Sequence, residues 1–340
     1  MVRLDQLGAQ PELAGDRDVT DVKVYLEALM ADLRSAGSFD TERVEPASIP
    51  GRVFDVLTNR EFCYLSKARA SAYRDGILAQ IAADVAQERP LEFFYDIGGG
   101  YHATTQPGKE DVSFDVGLAE VFVLGQISSF IGKVARFYRP GARFSLVIDN
   151  MCALLINDIP LVKTLEYCAK LRQLIRQVGM VSQVDLLVES EVVTLTDFAG
   201  QRATDVERRS PAIVSRKEHD NVERFLGRVC DDDEAADRAS RYKPVTEASE
   251  RLLAPFIRGV HMTQRSSETT ICFRPFPGGD SRIQCGQVAL TRNSKQKLHP
   301  VLLTSGNRGD YVCRQHQLDL LGSAIPYVMY AERISSATGQ

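Results

Sequence analysis

The sequence predicts an α/β protein: a largely parallel sheet with flanking helices, extended by C-terminal antiparallel strands. Three observations carry this. Between residues 91 and 188, strand-like and helix-like runs alternate as strand, helix, strand, helix, strand, which is the pattern of right-handed crossover units. The strands in that stretch have nearly continuous apolar centres, as expected when both faces of a sheet are covered. After Leu253 the pattern shifts to short β-rich runs separated by turn residues.

The elements follow in order. Val22, Leu26, Leu29 and Leu33 recur at helical spacing before Gly37, with Thr20 or Asp21 able to cap the start. Leu78, Ile81 and Val85 mark a second helix that stops near Pro90. Leu91-Glu92-Phe93-Phe94-Tyr95-Asp96-Ile97, held between Pro90 and a glycine triplet, reads as a strand. From Gly117 to Tyr138, residues Leu118, Phe122, Ile127, Phe130, Ile131 and Val134 gather on one side of a long helix, which Arg139-Pro140-Gly141 ends. Arg143 to Asp149 is the second strand. Leu161, Leu165, Cys168, Leu171, Ile175 and Val178 form the next helical stripe, and Val184 to Val188 the third strand.

Residues 194–249 are strongly charged and read as exposed helices and loops; the acidic run Asp231-Asp232-Asp233-Glu234 reads as a solvated face rather than a magnesium site. The late β-runs include Arg258 to Met262, Thr269 to Phe273, Gln287 to Leu290 and Val301 to Leu303. They predict a mixed sheet, antiparallel at its C-terminal part, that extends the same core. The expected organisation is a helical segment over 1–60, an α/β core over 61–190, a charged insertion over 191–250 and a β-rich part of the same core over 251–340.

Composition bounds the function. The 340 residues are 44% hydrophobic and 25% charged, which excludes a disordered or fibrous chain. With 41 Lys+Arg against 45 Asp+Glu, the net charge of −4 provides no global positive field, so neither nucleic acid nor membrane is an expected partner. The N-terminus lacks a signal-peptide core, and no run reaches the roughly 18 apolar residues of a membrane span; the expected compartment is the cytoplasm. Seven scattered cysteines without a C-x-x-C pair read as reduced, buried thiols.

Candidate site residues cluster where strands end. Gly98-Gly99-Gly100-Tyr101-His102-Ala103 fits G-x-G-x-x-A directly after a strand, a pattern of nucleotide- or S-adenosylmethionine-binding turns, although Thr104 to Lys109 is a loop rather than the helix such a site requires. Asp149-Asn150 closes the second strand, at the edge where ligands collect in open parallel sheets; the structural alternative is a helix cap. Asn157-Asp158 reads mainly as a turn and helix-start device. The five histidines show no H-x-H or H-E-x-x-H spacing, so no zinc site and no resident metal is expected. His261 and His102 are the best acid/base candidates.

The order of signals from Ala70 to Gly179 resembles the isonitrile (isocyanide) synthase family of paerucumarin-type and dityrosine pathways. The likeness lies in Arg89-Pro90-Leu91-Glu92-Phe93, Asp115-Val116-Gly117-Leu118-Ala119-Glu120, Tyr138-Arg139-Pro140-Gly141-Ala142-Arg143, Ile148-Asp149, and Asn157-Asp158 before a helix with Tyr167 and Leu171-Arg172. It implies a Rossmann-like fold and an enzyme of specialised metabolism that condenses the amine of an amino acid with ribulose 5-phosphate as co-substrate, with no bound cofactor. By position, Asp149 and Asp158 would orient or deprotonate the amine and His261 or His102 would move protons. Gly98, Gly99, Gly100, Tyr101 and Asn150 would line the pocket, and Arg258, Arg265 or Arg274 would pair with a carboxylate or phosphate. Ile97 to Thr105 replaces the family's Lys-Ser segment. Two alternatives follow: an S-adenosylmethionine-dependent transferase using the glycine loop, or a catalytically degenerate member acting as a partner protein.

Overall fold

The computed structural model describes residues 16–35, 42, 44–63, 74–97, 116–200, 232–263, 270–274, 287–303, 310–320 and 325–334. Five strands, β1 (Leu91–Asp96), β2 (Ala142–Ile148), β3 (Val184–Val188), β4 (Val260–Thr263) and β5 (Thr270–Cys272), form one sheet in the order β3-β2-β1-β4-β5. Every pairing in it is parallel. The first two late β-runs therefore complete the parallel sheet on the far side of β1, which one-dimensional patterning had left unassigned. The antiparallel character enters further on. Strands β6 (Gln287–Arg292), β7 (Leu298–Leu303), β8 (Tyr311–Leu320) and β9 (Ile325–Arg333) make a second sheet, β7-β6-β9-β8, from two antiparallel pairs joined by a parallel contact at Leu290 and Tyr330.

Helices α3 (Arg74–Ala86), α4 (Leu118–Ala135) and α6 (Leu161–Gln177) cover one face of the parallel sheet, and α1 (Asp16–Ser35) and α2 (Ile49–Leu57) pack on α4 in the same core. The α1 stripe is buried at Val22, Leu26, Met30 and Leu33. Helix α4 is apolar almost all round, which marks an interior helix: it packs on β2, touches β6, and buries Val121, Leu124, Ile127 and Phe130 completely. It is long and apolar enough to cross a membrane, yet 72% of it is buried inside the protein. Phe130 meets Phe62, Phe93 and Phe144 edge-on, with centroids 5.4, 5.0 and 5.5 Å away, a geometry favoured by the ring quadrupoles. Val288, Leu290 and Tyr330 join this same core, tying the second sheet to the first.

The opposite face carries a second apolar cluster. There Phe94 and Val147 meet Met151, Cys152 and Ile156 of α5 (Asn150–Asn157), Val193 and Phe198 just beyond α7 (Glu189–Val192), and Val245, Ala248 and Leu253 of α8 (Asp232–Leu253). The charged stretch thus differs from its expected exposure. Tyr242, Val245, Ala248 and Leu252 recur every three or four residues, and this narrow stripe docks α8 on the sheet while the charges face outwards. Strand β4 reaches its place through Gly259, whose φ is +95° and whose carbonyl accepts from Gln80 Nε2.

Candidate active site

In the strand order β3-β2-β1-β4-β5, chain connections run one way from β1 to β2 and β3 and the other way to β4 and β5. Such a switch point, here between β1 and β4, is where open α/β sheets generally hold ligands, in the crevice outside the carboxyl ends of the strands. Two side chains meet there. Phe94 pairs with His261 in register, so side-chain alternation puts His261 and Asp96 on the same face. His261 Nε2 donates to Asp96 Oδ2 at 2.7 Å, and the His261 ring stacks on Phe94 with centroids 4.1 Å apart and planes at 15°. The carboxylate fixes the tautomer while the phenyl ring fixes the plane. At 28% and 42% exposed respectively, His261 and Asp96 reach solvent and so remain accessible to a small molecule.

On the other side of β1, β2 ends in Asp149 and β3 in Glu189. The Asn150 side chain is fully buried and knits the two ends: Nδ2 donates to Ser190 Oγ at 2.7 Å and Thr164 Oγ1 at 3.3 Å, and Oδ1 accepts from Ser190 N at 2.9 Å. Glu189 is fully buried as well. Its Oε2 accepts from the backbone N–H groups of Met151 (3.0 Å) and Cys152 (3.3 Å), and its Oε1 from the Ser249 hydroxyl. Burial pushes the Glu189 carboxyl up to about 7, and the nearby charge of Asp149 acts in the same direction. Burial first, then Asp149 and Glu189, drive the Cys152 thiol well above its ordinary value, so it is no nucleophile. Another buried carboxyl, Glu120 at the start of α4, accepts from Gly117 N (2.7 Å) and from the Tyr167 hydroxyl (3.0 Å); its burial raises its proton affinity.

The remaining expected residues are dispersed. Asp158 ends α5 with φ 56°, at the opposite end of that helix from Asp149, and forms an ion pair with both Arg241 nitrogens at 3.1 Å. Arg241 also donates to Leu155 O and Asp237, so Asp158 clasps α5 to α8. The Arg241 guanidinium holds the Asp158 carboxyl below its usual range. Arg258 is exposed and precedes β4, which puts it at the amino edge, away from the crevice. Arg274 follows β5 two residues after Cys272, the partner of Thr263; alternation assigns it to the carboxyl edge on the His261 face. Gly98, Gly99, Gly100, Tyr101, His102 and Arg265 lie outside the described residues. Among the described residues no group of three or more His, Cys, Asp or Glu could hold a metal ion.

Sequence reasoning proposed His261 and Asp149 but not Asp96 as the histidine's partner, because the pair is 165 residues apart and only the β1–β4 pairing unites it. Glu189 carried the same signal as Asp149, an acid directly after an apolar strand, and could have been found by it.

No family model matches the sequence, and no curated protein matches it significantly. Among solved structures, the PvcA protein from Pseudomonas aeruginosa aligns with a TM-score of 0.62 and 15% identity, covering 84% of this chain and 100% of that one. The likeness is one of fold. A tryptophanyl-tRNA synthetase homologue from Entamoeba histolytica aligns at a TM-score of only 0.29, with 10% identity over 70% of this chain and 53% of that one.

Proposed function

We propose that this chain is a biosynthetic enzyme of the isonitrile-synthase type, acting on the amino group of an amino acid with ribulose 5-phosphate as co-substrate. The observation that carries the reading is the Asp96–His261 pair at the switch point, flanked on β2 by Asp149. The fold likeness to PvcA supports the fold that the sequence resemblance implies. An amine that is to attack a carbonyl must first lose a proton, and the hydroxyl of the adduct must later gain one. A carboxylate-held imidazole can do both. His261 takes a proton from the substrate ammonium, and the neutral nitrogen bonds to the carbonyl carbon. A proton shifts from nitrogen to the former carbonyl oxygen, and the imidazolium then protonates that hydroxyl, which leaves as water as the iminium forms. Asp149 orients the ammonium, and Arg274, on the same edge, pairs with the substrate's anionic group.

The S-adenosylmethionine reading has less support. The residues after the glycine triplet, Thr104 to Lys109, read from the sequence as a loop rather than the helix such a site requires.

The test is to incubate the full chain with aromatic amino acids and ribulose 5-phosphate and to follow the isonitrile by mass spectrometry. The expected result is product with the native chain, and turnover lowered about 10²–10⁴-fold in His261→Gln and clearly lowered in Asp96→Asn. Undiminished turnover in His261→Gln removes the assigned base. Absence of isonitrile with every amino acid, together with saturable calorimetric binding of S-adenosylmethionine, moves the reading to a transferase.

A further inference from the structure

Glu189 lies outside the chemistry assigned above, yet it holds the turn that carries Asp149 and the helix that leads towards His261. It follows β3 as Asp149 follows β2, and the last residues of those strands, Ile148 and Val188, are paired. Asp149 occupies the cap position of α5 but makes no cap hydrogen bond through its side chain. The capping is done from the neighbouring strand, by Glu189 Oε2 on the N–H groups of Met151 and Cys152. The other oxygen holds Ser249 of α8, the helix whose chain runs on through Gly259 into β4 and His261.

We propose that Glu189 is a proton-dependent positioning residue of this site: protonated, it sits stably between the turn that carries Asp149 and the helix that leads into His261; ionised, it loosens both. The proposal rests on the reading above only in taking Asp149 and His261 as the groups that meet substrate. Its physical basis is the geometry. A carboxylate shut away from water beside Asp149 carries its charge at a desolvation cost that the two backbone N–H groups and the Ser249 hydroxyl offset only in part, whereas the neutral acid keeps an oxygen that accepts from those N–H groups. Burial, then Asp149, place the titration near neutrality, opposed by the Ser249 hydroxyl and the Met151 and Cys152 N–H groups. The titratable or charged groups around Glu189 are Asp149 at the β2–α5 turn, Cys152 on α5, Glu250 on α8, and Glu191 on its own helix α7, which pairs with Arg172 of α6.

The experiment uses the full chain without substrate. Glutamate side-chain carbons are followed by NMR through a pH titration, and amide exchange of Met151 and Cys152 is measured at about pH 5.5 and about pH 8.5 after correction for intrinsic rates. One glutamate is expected to titrate near 7 and to vanish in Glu189→Gln. Protection of the two amides is expected to be about tenfold greater at the lower pH in the native chain and pH-independent in the variant. Should Glu189→Gln fail to fold, two further variants decide: Ser249→Ala is expected to move the titration upwards, by removing a donor, and Asp149→Asn downwards, by removing a repelling charge. A titration at the ordinary glutamate value, or amide protection indifferent to these substitutions, overturns the proposal. None of the readouts needs turnover, so a missing isonitrile leaves this inference standing, and a flat titration leaves the proposed reaction standing.

Discussion

A Cβ placed on Gly259 would sit 1.9 Å from the backbone oxygen of Glu92, closer than any packing adjustment can relieve, and the left-handed φ adds strain. Gly259→Ala is therefore expected to destabilise the chain by about 2–4 kcal/mol, measured as a lower urea midpoint. Phe130 shows the opposite kind of dependence: fully buried, with three aromatic partners, it leaves a cavity in Phe130→Ala at a cost of about 3–5 kcal/mol. Asp158 is 63% exposed in its pair with Arg241. Asp158→Asn is expected to change stability by less than about 1 kcal/mol and to leave turnover at the Asp96–His261 pair intact. A large loss of turnover in that variant would return Asp158 to the site. Residue type and strand context made Asp149 and His261 candidates from the sequence alone. Asp96, the last residue of β1, gave no such signal, because its meaning depends on which strand lies beside it.

Among the elements, α8 departs most from its sequence reading. Its charges dominate any composition window, whereas the burial of Tyr242, Val245, Ala248, Leu252 and Leu253 depends on a partner surface, Phe94 and Val147, contributed by strands far away in sequence. Helix α6 shows a smaller version of the same effect. Leu165, expected inside, is 38% exposed, while Tyr167 is buried with its hydroxyl on Glu120. The turn at the end of β2 was ambiguous between a site and a cap, and the packing divides the tasks: Glu189 caps α5, Asn150 locks the turn, and Asp149 stands at the edge. Val245→Asp on the buried side of α8 is expected to unseat that helix and to lower the His261-dependent turnover through β4, whereas an exposed substitution such as Arg251→Gln leaves both unchanged.

For the molecule as a whole, the buried carboxyls set the response to pH. The folded values of Glu120 and Glu189 are both raised above those of an unfolded chain, so between the unfolded and folded values the native state binds more protons. Stability is then greatest at mildly acidic pH and falls as pH rises through about 7, with Glu189 alone contributing on the order of 3 kcal/mol. Asp158 has the opposite sign: its value is lowered, so its contribution disappears as pH falls through the acid range, and exposure keeps it small. The thermal midpoint is expected to be higher near about pH 5.5 than near about pH 8.5, and Glu189→Gln is expected to flatten the difference. A midpoint that rises with pH would show that these carboxyls titrate normally.

The sequence by itself determined the alternation of strands and helices between residues 91 and 188, because periodicity, apolar runs and turn residues are local properties of the chain, whereas the burial of α4 on nearly all sides, where one apolar stripe was expected, came only with packing. Strand order was decided only by the tertiary structure. Placing β4 against β1 brought His261 to Asp96, joined β5 to the parallel sheet and left β6 to β9 to build a second sheet on the same core. Such choices depend on which apolar faces can cover one another across the whole chain, and no window of neighbouring residues contains that information.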